Sequence, residues 1–262
     1  MAKENNKDNN IKKNVSGFID DSLDHFDGFL DRIVKRMEKI DSAVDLRQRI
    51  ISGIILFAVA ILGICFFKGL FLLLVIAVTI IMVSEWIDLI KSAKNQTKWK
   101  LIGFIYILIP VWAVLYLHEI DYKIVLWMFS VIWATDIFAY FAGKNLGGAK
   151  LAPKISPNKT WSGLCGGVIA SMVIGLLSSF MFVHGNIIFF VLISALLAVI
   201  EQLSDLMESK FKRIFGVKDS GNIIPGHGGI LDRLDGMMLV APAVILIIWF
   251  NYSKFVPVPL TN

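Results

Sequence analysis

The chain is predicted to fold as an all-α, polytopic integral membrane protein with about seven transmembrane helices and an N-terminal amphipathic helix. Three observations predict this. Windows of about 20 residues with almost no charge recur between residues 51 and 250, the length a helix needs to cross a bilayer. Apolar residues make up 56% of the chain and mean hydropathy is +0.69, above the roughly 45–50% apolar content of soluble domains. Lysines and arginines fall almost wholly on one side of the resulting topology, as membrane insertion favours. In lipid each backbone N–H and C=O must be paired within its own segment, so such windows are helices.

Residues 1–14 are polar and rich in Asn and Lys, a composition expected to remain disordered. Over 15–50 the pattern changes. Ile19, Leu23, Phe26, Leu30, Ile33, Met37, Ile40 and Val44 alternate spacings of four and three, a heptad seam with charged residues on the other faces. It fits a coiled coil joining two chains, or one amphipathic helix lying on the membrane or on its own protein. The many Asp residues of its first half oppose an anionic lipid surface. No cleavable signal peptide is expected, because the first apolar run begins near residue 50. The spans are read at 51–67, 69–90, 101–117, 122–142, 161–182, 186–203 and 236–252, with 253–262 as a tail. Cys65 and Cys165 both lie in apolar windows, which reads as packing rather than a disulfide.

With the N-terminus in the cytoplasm, that side holds ten Lys and Arg before residue 51, four in 91–100, four in 143–160 and five in 204–235. Lys68, Lys123 and Lys254 are left outside. This asymmetry accounts for the net charge of +5 without nucleic acid as a partner. It also puts the polar islands 143–160 and 204–235 on one cytoplasmic face of a cell (inner or plasma) membrane, inside a transmembrane unit over 51–252.

The second island carries the chemistry. It packs Asp205, Glu208, Asp219, Asp232 and Asp235 with Lys210, Lys212, Arg213, Lys218 and Arg233, around glycines and His227. On a helix, Asp205, Glu208, Ser209 and Lys212 share one face; Asp232 and Asp235 repeat the three-residue step. Oxygen-only ligands suit a hard cation such as Mg²⁺, and the absence of a Cys/His cluster disfavours zinc. Interleaved Lys and Arg attract phosphate. Together they point to phosphoryl or nucleotidyl transfer. Gly226-His227-Gly228-Gly229 can form an anion nest, although Gly-rich turns are often only turns; no P-loop pattern is present. The bland reading is a solvated loop, but such loops seldom space their acids helically. In the first island Asp136 is an acid inside the fourth span, functional or paired with Lys144. Ser156 and Lys159 precede the fifth span, where Lys159 reaches phosphate or simply belongs to a basic turn. Glu85 and Asp88 end the second span and read as interfacial acids or partners of Lys91.

The segment 209–236 resembles the signature of the phosphatidate cytidylyltransferases (CDP-diacylglycerol synthases). Ser209, Lys212, Arg213, Lys218, Asp219, Pro225, Gly226, His227, Gly228, Gly229, Asp232, Arg233 and Asp235 occupy its fixed positions. The stretch 139–163 is similar to the family's other conserved stretch, and the resemblance spans about residues 47–250. Two positions depart: Ser162 stands where the family commonly has Glu, and Ser204 precedes Asp205 where it commonly has Gly.

The resemblance implies transfer of CMP from CTP to phosphatidic acid at the bilayer, giving CDP-diacylglycerol and pyrophosphate for phospholipid biosynthesis. It implies Mg²⁺, with K⁺ as a companion ion. Carried over residue by residue, Asp205 and Asp232 are metal ligands, and Asp219 and Asp235 stand near the ions or nucleotide, with Lys218 and His227 at the reacting centre and His227 a donor rather than a base. Ser209, Lys212, Arg213, Arg233, Lys159, Ser156, Gly228 and Gly229 hold the substrates. The alternatives are a cytidylyltransferase for another lipid phosphate and an ion-coupled transporter using Asp136. The heptad seam adds a homodimer as an expected partner state.

Overall fold

The computed structural model describes residues 57–182, 186–221 and 228–255, which belong to one compact unit, Ile55–Asn262. The heptad seam and the start of the first expected span lie outside the described residues, as do Pro225, Gly226 and His227. Residues 57–65 are helical (α1). Then follow α2 (Lys68–Leu89), a short 3-10 turn (Ile90–Ser92), α3 (Gln96–Ile120), α4 (Tyr122–Leu146), β1 (Lys150–Ala152), β2 (Ser156–Thr160), α5 (Trp161–Ser179), α6 (Ile187–Ile214), α7 (Leu231–Leu234) and α8 (Met237–Phe255).

Among the described residues six helices are long and apolar enough to cross a membrane. They match the expected spans from 69–90 onward. Their ends follow local chemistry. The side chains of Asn95, Asp121, Thr160 and Asn186 each accept a backbone N–H in the first turn of α3, α4, α5 and α6, satisfying donors that a helix start leaves open. Gly147, at φ 63°, ends α4 as an unhindered left-handed residue. Pro110 and Pro242 sit inside α3 and α8, which neighbouring helices make tolerable in a membrane bundle.

Two features go beyond the sequence reading. Helix α6 does not stop at 203 but runs to Ile214, so a single helix leaves the apolar core and carries the charged face. The first polar island holds an antiparallel hairpin, with Lys150 opposite Thr160 and Ala152 opposite Ser156.

Packing places these pieces. Helix α5 lies against α4 at Gly167, where an added Cβ would stand 2.9 Å from Thr135 Cγ2 and 3.0 Å from its carbonyl oxygen; small residues give such close approach where lipid supplies no hydrophobic drive. Buried Trp127 of α4 donates Nε1–H to Ser194 Oγ of α6 at 3.0 Å and meets Phe190 edge-on. At the other end, Trp86 of α2 donates Nε1–H to the carbonyl of Trp99 at 3.0 Å and packs edge-on against Phe211 and Phe215. That aromatic cluster anchors the polar end of α6. Cys65 and Cys165 are free thiols.

Candidate active site

The polar end of α6 meets the start of α7 and α8. Asp205, Glu208 and Asp235 each bring a carboxylate oxygen within 4.8 Å of the others. Asp205 and Glu208 are one turn apart on α6, as their spacing predicts. Asp235 is held by its own backbone: its carbonyl accepts from Ser204 Oγ, which in turn accepts from Leu239 N at 3.1 Å. Its Oδ1 accepts from Gly236 N at 2.8 Å. Ser204, where the family commonly has Gly, therefore ties α6 to α8. Glu208 is 1% exposed, and its Oε1 has no hydrogen-bond partner among the described residues. Three acids this close repel one another in a low-dielectric setting, and an inward carboxylate oxygen without a donor is costly. The donor set is oxygen only, which suits a hard cation.

Two lysines flank the acids. Lys212 Nζ lies 2.6 Å from Glu208 Oε2 and 2.8 Å from Asp232 Oδ1. Lys159, from β2, forms an ion pair with Asp205 and donates to Gln202 Oε1 at 2.9 Å. The two islands thus meet directly, and Arg213 adds a bond from Nε to the carbonyl of Ile155 at 3.3 Å. Between α4, the hairpin and α6 opens a cleft of about 480 Å³, where Asp136, Lys144, Lys150, Lys159, Gln202 and Asp205 turn polar groups inward. Asp136 packs against Glu201 of α6. Lys144, its expected partner, instead reaches Tyr140 Oη at 3.3 Å. Ile137, Phe138 and Phe141, on the same stretch of α4, are exposed, so the cleft borders an apolar surface.

Asp232 sits beside the three-acid group. Both its oxygens accept from Ser220 N, at 3.1 and 3.0 Å, and Oδ2 accepts from Gly229 N at 3.0 Å. Expected as a metal ligand, it is engaged by Lys212 and by backbone amides, while Glu208 joins Asp205 and Asp235. The Gly-rich turn likewise presents Gly229 N–H to the chain's own carboxylate. Gly228 adopts φ 80°, a left-handed conformation natural to Gly.

The remaining expected residues distribute around this centre. Ser209 Oγ donates to Asp205 Oδ1 at 3.2 Å. Lys218, Asp219 and Arg233 are exposed near the turn, and Ser156 is half-buried in β2. Ser162 Oγ donates to the carbonyl of Gly147 and lies 3.0 Å from Thr160 Oγ1, so it closes the hairpin onto α4 where the family's Glu would stand. Glu85, read as an interfacial acid or a partner of Lys91, is placed differently. Asp88 pairs with Lys91 at 2.8 Å, as anticipated, but Glu85 is buried and accepts from Ile230 N at 2.9 Å and Leu231 N at 2.8 Å. An acid near a span's end with backbone partners leaves no sequence signal beyond its charge.

Comparison with known proteins identifies the family. Residues 101–251 match the cytidylyltransferase family. The phosphatidate cytidylyltransferase of Rickettsia bellii (strain RML369-C) is 45% identical over 212 residues, covering 78% of this chain and 90% of that protein. That of Rickettsia typhi (strain ATCC VR-144 / Wilmington) is 45% identical over 222 residues, covering 80% and 96%. That of Brucella abortus biovar 1 (strain 9-941) is 41% identical over 176 residues, covering 66% and 62%. The match takes in both polar islands, the three-acid group and the lysines around it, and by it the chain belongs to the cytidylyltransferase family.

Proposed function

We propose that the protein transfers CMP from CTP to phosphatidic acid, forming CDP-diacylglycerol and pyrophosphate for phospholipid biosynthesis. The observation that carries this reading is the three-acid group of Asp205, Glu208 and Asp235 flanked by Lys159 and Lys212 at a polar cleft beside an apolar surface. Metal-binding and phosphate-binding charges stand together where a water-soluble nucleotide and a lipid can both arrive.

A phosphate oxygen of the lipid attacks the α-phosphorus of CTP, and the bond to the β-phosphate oxygen breaks to release pyrophosphate. The lipid phosphate is already an anion, so no strong base is needed, and the chain's task is alignment and charge neutralisation. Lys159 and Lys212 exchange carboxylate partners for phosphate oxygens. Lys218, Arg213 and Arg233 add positive charge at the mouth, with Asp219 beside the nucleotide and Ser209, Ser156 and Gly228 on the approach; His227 keeps the hydrogen-bond donor role that the resemblance implies. Asp205, Glu208 and Asp235 would hold Mg²⁺, with K⁺ as a second ion and Asp232 at the edge of the group. Bound there, the cation offsets the negative charge that gathers on the phosphates.

Incubating the purified protein in detergent with CTP, phosphatidate and Mg²⁺ should yield CDP-diacylglycerol. No product above a heat-killed control overturns the reading, and a panel of lipid phosphates separates phosphatidate from other acceptors. The distribution of Lys and Arg supports an inner-membrane protein with its N-terminus and site in the cytoplasm. The 15–50 seam supports a homodimer, which removal of residues 1–45 should weaken in crosslinking.

A further inference from the structure

We propose that Glu85 of α2 is a positioning residue for the catalytic segment, its carboxylate fixing the turn that sets Asp232 and Asp235 against α6. The inference rests on the cytidylyltransferase reading of the site. Glu85 is 2% exposed, and both its oxygens are directed at the segment between α6 and α7. Oε1 accepts from Ile230 N at 2.9 Å; Oε2 accepts from Leu231 N at 2.8 Å and from Ser220 Oγ at 3.3 Å.

The segment is shaped around this side chain. A Cβ on Gly221 would stand 2.7 Å from Glu85 Oε1, and one on Gly229 would stand 2.7 Å from Oε2. The carboxylate therefore fills a cradle that only glycine leaves open on two sides. Ser220 is the pivot. Its hydroxyl goes to Glu85 and its N–H to Asp232, whose Oδ1 holds Lys212. A chain of bonds thus runs from α2 through Ser220 and Asp232 to α6. The neighbouring residue, Trp86, packs on Phe211 and Phe215 at the end of α6. The last turn of α2 grips the catalytic segment at both ends without entering the cleft.

A charged acceptor matters here because two amides converge on it, and bonds to an ionised acceptor are roughly twice as strong as neutral ones. Gln fills the same volume but offers one acceptor oxygen and turns an NH₂ toward the other amide. Asp keeps the charge and falls short by one methylene.

The test compares wild type, Glu85→Gln and Glu85→Asp in detergent, by hydrogen–deuterium exchange, thermal unfolding and steady-state kinetics. In Glu85→Gln, exchange at 228–234 should rise by about tenfold or more, the loss of one charged hydrogen bond. Exchange in α3 and α5 should not change. The Mg²⁺ concentration giving half-maximal rate should rise and kcat should fall about tenfold or more, with Glu85→Asp recovering part of both. Wild-type exchange at 228–234, or faster exchange with wild-type kcat and Mg²⁺ dependence, overturns the proposal. If Glu85→Gln does not fold, Ser220→Ala removes only the hydroxyl contact and should shift exchange and Mg²⁺ dependence in the same direction by a smaller factor; no shift overturns it. A wild-type protein that makes no product defeats the cytidylyltransferase reading instead, and the exchange experiment still reports on the grip.

Discussion

Lys212 Nζ lies 2.8 Å from Asp232 Oδ1, joining the last turn of α6 to the first turn of α7 across twenty residues of sequence. The pair is mostly buried, with side-chain exposures of 13% and 11%. Neutralising Asp232 leaves Lys212 with Glu208 alone and takes a charged acceptor from the amides of Ser220 and Gly229, at a cost of about 1.5–3 kcal/mol. Asp232→Asn should therefore abolish turnover and also lower the unfolding temperature in detergent. A variant with near-normal turnover would refute any role for Asp232 at the site, as metal ligand or as anchor for Lys212.

Glu208→Gln should separate the acid group from the loop. The substitution keeps the shape of a residue whose Oε1 faces no described donor, and it removes one charge from the three-acid group. The Mg²⁺ concentration for half-maximal rate should rise at least about tenfold, the equivalent of roughly 1.4 kcal/mol. Asp205→Asn should act in the same direction, and chelation with EDTA should stop wild-type turnover reversibly. An unchanged Mg²⁺ titration in both variants would remove the group from metal binding.

Lys159 forms an ion pair with Asp205 and bridges β2 to α6. Lys159→Ala should lower kcat/KM for CTP by about 10²–10³-fold, the usual consequence of deleting one stabilising donor at a reacting anion. Lys159→Arg should restore only part of the loss, since a planar fork does not place its charge where a compact ammonium does. Initial rates over a range of CTP check both.

Gly103 marks a tight packing site against Trp86. A Cβ there would stand 1.9 Å from Trp86 Nε1 and 2.3 Å from its Cδ1, displacing the indole from the carbonyl of Trp99. Gly103→Ala should destabilise by about 1–3 kcal/mol, as overpacking does. Thermal unfolding in detergent measures it, and an unchanged transition would mean that Trp86 moves aside freely.

What could be read from the sequence depended on whether side chains or backbone carried the information. The spans were legible because lipid enforces long apolar windows. The meeting of the two islands was legible because their Lys and Arg share a side, and Lys159 does contact Asp205. The charged face of α6 was legible because helical spacing puts Asp205, Glu208, Ser209 and Lys212 together, and the Ser209–Asp205 and Lys212–Glu208 contacts follow it. The place of Glu85 was not legible, because its closest partners, Ile230 and Leu231, meet it through backbone N–H groups common to nearly every residue type, and the Ser220 hydroxyl that joins them lies 135 residues away in sequence. For the same reason Gly229 looked like a donor to substrate, and only the fold shows its N–H turned to Asp232. The hairpin was hidden because Ser156-Pro157-Asn158-Lys159-Thr160 lacks the alternation that marks a strand.

The border on α4 sets how the two reactants are counted. Tyr140 and Lys144 face the cleft while Ile137, Phe138 and Phe141 face outward. CTP arrives through three dimensions and saturates the enzyme by its molarity. Phosphatidate arrives sideways in a sheet and saturates it by its fraction of the surface. Adding inert lipid at fixed total phosphatidate should therefore slow the enzyme as a competitor would, although nothing in the added lipid binds the site.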